Sequence, residues 1–119
     1  MRSYQENRLE RIKLELQSTY AQLKQIESSN TLAGKRFELW KARCRLELVI
    51  LLIKISYGVD YEDRRARYTM EGEPQKVFGK VLELIADALN SLPATNVYEV
   101  LEKVREARDL LSLLESKKL

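Results

Sequence analysis

The segment LELVILLIKI, residues 46–55, is apolar almost all round, broken only by Glu47 and Lys54, and it constrains the fold of this chain more than any other. It is too short to cross a bilayer, so the rest of the chain has to cover it as a central core element. Val49, Ile50, Ile53 and Ile55 are β-branched, and taken alone the piece also fits a buried strand. Helix is the better reading, because KRFELWKARCR runs into it with no turn signal between them. The two together predict one helix over residues 35–57, amphipathic and basic at first and apolar later, with Gly58 as its C-terminal cap.

Four glycines and two prolines in 119 residues leave little turn chemistry for a β-architecture. Ser3-x-x-Glu6 has the form of a capping box, and Leu9, Ile12, Leu16, Leu23 and Ile26 follow in steps of about three and four, with Thr19 in the gap. This predicts a helix over residues 3–27, on the order of 35–38 Å long. Such a helix is longer than a domain of this size needs, so part of it is expected to project or to pack on another subunit. SSNTLAG supplies the break. Pro74 opens a third helix whose wide stripe includes Val77, Phe78, Val81, Ile85 and Leu92 and stops at Pro93. Asn96-x-x-Glu99 caps a fourth, residues 97–115, whose five acids and five bases, counted through the terminal lysines, predict salt-bridged solvent faces. The expected fold is all-α: a single-domain four-helix bundle over residues 1–119 with a long N-terminal helix.

Histidine is absent, which removes His-based acid–base catalysis, Ser–His and Cys–His nucleophilic pairs and the commonest zinc and haem ligands. The dispersed glycines cannot write a phosphate-binding loop. No cofactor and no enzymatic activity are expected. The sole cysteine, Cys44, fits a reducing compartment, and MRSYQENRLERIK has no apolar signal core, so a cytoplasmic location and no membrane partner are expected. Net charge is +3, but residues 1–70 carry 14 bases and 9 acids while residues 71–119 carry 7 and 9. A polyanion-facing side fits that imbalance, as does ordinary solubility.

Two cationic clusters stand out. Lys35, Arg36, Lys41, Arg43 and Arg45 lie within eleven residues with Glu38 opposing them. They form either a phosphate-contacting face or a solvated one. Arg64, Arg65 and Arg67 sit in YGVDYEDRRARY, residues 57–68, inside a connection long for a compact bundle. Arginines interleaved with Tyr57, Tyr61 and Tyr68 can contact phosphates bidentately and stack on bases. Asp60, Glu62 and Asp63 beside them are expected to form local ion pairs, although carboxylates of this kind can hold magnesium. Phe37 and Trp40 are expected to pack on the first helix, with an exposed base-stacking platform as the alternative. Tyr20 and Tyr98 are read as core, and Tyr57 as closing the core.

LVILLIKISYGVDYEDR, followed by VFGKVLELIADAL and YEVLEKVREARDLLSLL, resembles the central helix, tyrosine-to-arginine exit and last two helices of the Csm-type small helical subunit of type III CRISPR effector complexes. The resemblance covers residues 46–119 as a pattern of residue types. The long first helix and the lack of an aromatic-rich ending depart from that family. It implies a non-catalytic subunit that polymerises beside backbone subunits and lines the channel of the guide–target duplex. Nucleic-acid contact by Arg64, Arg65, Arg67, Lys41, Arg45, Arg36 and Arg43 is therefore expected, to the backbone of RNA or single-stranded DNA and without sequence readout. The alternative is a self-associating structural or virion protein, without nucleic-acid binding, whose first helix docks on copies of itself.

Overall fold

The computed structural model describes residues 4–29, 32, 34–58, 73–92 and 97–116. Four helices occupy them: α1 Tyr4–Ser28, α2 Arg36–Tyr57, α3 Pro74–Asn90 and α4 Val97–Ser116. The segment that also fitted a strand is helical throughout, continuous with the basic half of α2.

Local signals explain the ends. Gly58 takes φ 60°, ψ 36°, the left-handed conformation that tolerates glycine best, and its N–H donates to the Lys54 carbonyl. Pro74 occupies the first turn of α3, where its missing N–H removes no helical bond. At the other end of α3 the Ser91 hydroxyl donates to the Asp87 carbonyl at 2.8 Å, and the helix stops at Asn90, two residues before the apolar stripe does. A Cβ at Gly58 would meet nothing within 4 Å, and neither would one at Gly79 inside α3. The two glycines therefore separate backbone strain from crowding. Gly58→Ala is expected to lose about 1 kcal/mol of stability and Gly79→Ala to gain roughly 0.5–1 kcal/mol, read from urea midpoints.

Around the bundle the order is α1, α2, α4, α3: α1 and α4 each pack on both α2 and α3, and neither diagonal pair touches. Arg8 Nη1 donates to the Ile55 carbonyl at 3.3 Å, so the start of α1 lies by the end of α2. Arg36 Nε donates to the Glu115 carbonyl at 2.7 Å, so the start of α2 lies by the end of α4. Both pairs are antiparallel. Since a short connection joins α3 to α4, α3 runs parallel to its diagonal partner α2, and Gly58 and Glu73 lie at opposite ends of the bundle. Along the bundle they stand about 26 Å apart, the length of the 17 residues of α3.

Ile12, Leu16, Leu23 and Ile26 of α1, Leu39, Leu46 and Ile53 of α2, Phe78, Val81 and Ile85 of α3, and Leu101, Leu111 and Leu114 of α4 share one buried cluster. Thr19 fills its gap in the α1 stripe, fully buried, with its hydroxyl donating to the Glu15 carbonyl at 2.7 Å, as a buried hydroxyl requires. The buried residues of α1 extend from Ile12 to Ile26, so this length of the helix serves its own bundle.

Three expectations are corrected. Phe37 and Trp40 do not pack on α1: they are 63% and 44% exposed, because α2 turns Leu39, Ala42, Leu46, Val49 and Ile53 inward and these two point the opposite way. Tyr57 and Tyr98 are likewise exposed, whereas Tyr20 does pack against the core. On α4 the charges are not all at solvent faces. Arg108 and Asp109 are buried, with Arg108 Nε and Nη2 at 3.1 and 3.0 Å from Asp109 Oδ1, and Arg105 Nη1 is 3.6 Å from Oδ2.

Candidate functional site on the second helix

At 100° per residue the 22 residues of α2 divide into four arcs. One faces the core. The arc toward α4 carries Arg36 and Arg43, and both are already engaged: Arg36 with the Glu115 carbonyl, Arg43 with the Glu115 carboxylate at 2.5 Å and with Glu47 at 3.5 Å. The hydrogen bond to Glu115 raises the Arg43 pKa further above its high ordinary value, against a smaller opposing effect of burial. These two arginines tie the start of α2 to the end of α4.

The arc toward α1 carries Lys41 and Arg45, with Lys35 just before the helix. None of these three has an ion-pair partner among the described residues. Together with Gln22, Gln25 and Ile26 of α1, and with Glu38, they line a groove of about 370 Å³. The helices hold this groove in shape from below: Gln22 Nε2 donates to the Glu38 carbonyl at 3.3 Å, and Leu23, Ile26, Leu39 and Ala42 are buried beneath. Gln22 Oε1 and Glu38 Oε2 are buried and accept no hydrogen bond within the described structure. Three cations against one acid on the walls, with two acceptors lacking donors, suit a ligand that carries both an anion and hydroxyl or amino donors.

The fourth arc faces away from the core. Phe37 and Trp40 stack there, ring centroids 5.7 Å apart and planes 25° apart, and Lys41 Nζ lies 5.4 Å from the Phe37 centroid, within cation–π range. Leu48, Leu51 and Ile55 continue the row, 37%, 52% and 57% exposed, past a half-buried Cys44. No helix of the bundle covers it.

Of the residues singled out in the sequence, Lys41 and Arg45 come together, Arg36 and Arg43 belong to a different arc, and Arg64, Arg65 and Arg67 lie outside the described residues, as do Asp60, Glu62 and Asp63. Lys35, named with the cationic cluster in the sequence, joins Lys41 and Arg45, whereas Gln22 and Gln25 were missed because they come from another helix. The outward apolar row was legible in the spacing of residues 37, 40, 44, 48, 51 and 55. Among the described residues no group of three or more His, Cys, Asp or Glu is placed to hold a metal, and no helix is long and apolar enough to cross a membrane. Comparison with protein-family models, with curated proteins and with solved structures returns no match to this chain.

Proposed function

We propose that this chain is a non-catalytic helical subunit of an RNA-guided ribonucleoprotein, of the type III CRISPR kind, that holds nucleic-acid backbone in the groove between α1 and α2. The observation that carries this reading is the division of the α2 cations: Arg36 and Arg43 are bonded to α4, whereas Lys35, Lys41 and Arg45 have no ion-pair partner among the described residues and surround a groove. Cations left without internal partners are what phosphate contact requires, and such contacts give affinity without sequence readout. The acceptors Gln22 Oε1 and Glu38 Oε2 favour RNA over DNA in this groove, because a ribose 2′-hydroxyl brings the donor they lack. Arg64, Arg65 and Arg67 extend the same proposal on sequence grounds alone.

The test is fluorescence anisotropy with one labelled oligonucleotide made both as RNA and as single-stranded DNA. Lys41→Glu/Arg45→Glu is expected to weaken RNA binding by roughly 10–100-fold at low salt, and the intact chain to prefer RNA to DNA. Unchanged affinity in the double variant removes the groove from the account. A second reading, an interaction protein that binds no nucleic acid, draws on the exposed row from Phe37 to Ile55.

A further inference from the structure

The outward row of α2 is a second apolar face on a helix that already has one. Phe37, Trp40, Cys44, Leu48, Leu51 and Ile55 fall within an arc of about 80°, on the opposite side of the helix from Leu39, Leu46 and Ile53. Their steps of three, four, four, three and four residues average the 3.6 of a straight α-helix, so the row runs parallel to the axis and asks for no supercoil from whatever covers it. Isolated exposed leucines need no explanation, but a continuous row along nearly all of one helix does.

We infer that this face is an interface between two copies of the chain, with the two α2 helices antiparallel about a two-fold axis that passes between Cys44 and Leu48. The area is the first support. The exposed parts of the five large side chains amount to on the order of 500 Å² per copy and ~1,000 Å² for the pair, the lower threshold for a specific interface when the surfaces are complementary. Self-complementarity is the second. In this register Phe37 of one copy meets Ile55 of the other, Cys44 meets Leu48, and Trp40 packs against Leu51 and the half-buried Leu52, so the broad aromatic end of each helix lies on the slimmer aliphatic end of its mate.

Charge selects the direction. Parallel pairing would crowd Lys35, Arg36, Lys41, Arg43 and Arg45 of both copies at one end and stack the aromatics on themselves. Antiparallel pairing separates those ends and opposes the helix dipoles. A two-fold axis perpendicular to both helices also carries the Lys41–Arg45 groove of each copy to the same face of the dimer. The interface itself does not depend on nucleic-acid binding.

The experiment is light scattering of the full chain without nucleic acid, over a range of micromolar concentrations. The mass is expected to rise from 13.9 kDa toward twice that value. Leu51→Glu/Ile55→Glu is expected to weaken association by at least ~100-fold, since each copy would bury carboxylates in an apolar contact, while circular dichroism stays unchanged and the urea midpoint equals that of the intact chain at concentrations where both are monomers. The register has its own test. A chain keeping Cys44, mixed with a Cys44→Ser/Leu48→Cys chain and oxidised, is expected to give the mixed disulfide as its main product. A mass that stays at 13.9 kDa throughout, or a dimer unaffected by the two glutamates, overturns the interface. Disulfides confined to like chains overturn the antiparallel register.

Discussion

Phe78→Ala is expected to lose about 4 kcal/mol of stability, read from the urea midpoint at unchanged slope. Among the described residues Phe78 is the largest fully buried side chain, 1% exposed, on α3 where that helix meets α4 and α1. Removing the ring forfeits its transfer from water and leaves a cavity between helices joined by tight packing, and both effects add. Against a total of roughly 5–15 kcal/mol for a domain of this size, that is a large share. Phe37→Ala is the matched control. It removes the same ring from a position 63% exposed, and is expected to change stability by no more than about 0.5 kcal/mol. Equal losses at the two positions would mean that α2 is turned the other way in the bundle.

The second large effect is expected at a charge. Asp109→Ala should lose about 3 kcal/mol, because its carboxylate serves Arg108 Nε and Nη2 at 3.1 and 3.0 Å and Arg105 at 3.6 Å in a buried setting. Removing one member of a buried ion pair costs more than forming the pair contributes, since the remaining charge has already lost its water. Asp109→Asn keeps one acceptor oxygen and should lose about half as much. The contrast within α4 is Glu102, an exposed partner of Arg105 at 2.8 Å, where substitution should cost well under 1 kcal/mol. Chemical denaturation of the three variants measures the ordering, and an Asp109→Ala loss no larger than that of the Glu102 variant would place Asp109 at solvent.

Much of this architecture was legible from spacing. The 3–4 stripes of α1, α3 and α4, the Pro74 start and the Gly58 stop all depend on local chemistry that acts within one or two turns. Burial of Phe37 and Trp40 was misjudged for a specific reason. When a helix has apolar residues on opposite faces, periodicity identifies two faces but not which one its own bundle takes, and here Leu39, Leu46 and Ile53 hold the inner one. The ion pair of Arg108 and Asp109 was read as surface because charged residues usually are; its burial depends on helices distant in sequence. The same limit applied to the candidate site. One helix stretch held all five cations, yet only the positions of Glu115 on α4 and of Gln22 and Gln25 on α1 divide them into a structural pair and a groove.

The salt dependence of the proposed RNA binding separates the groove cations from the structural pair. The slope of log affinity against log salt counts the phosphates that the protein neutralises, at about 0.7 per contact on a single strand. Lys41→Gln/Arg45→Gln is expected to flatten the slope by about 1.4, and Arg36→Gln/Arg43→Gln to leave it unchanged while lowering the urea midpoint. An equal flattening by both pairs, or by neither, would contradict that separation.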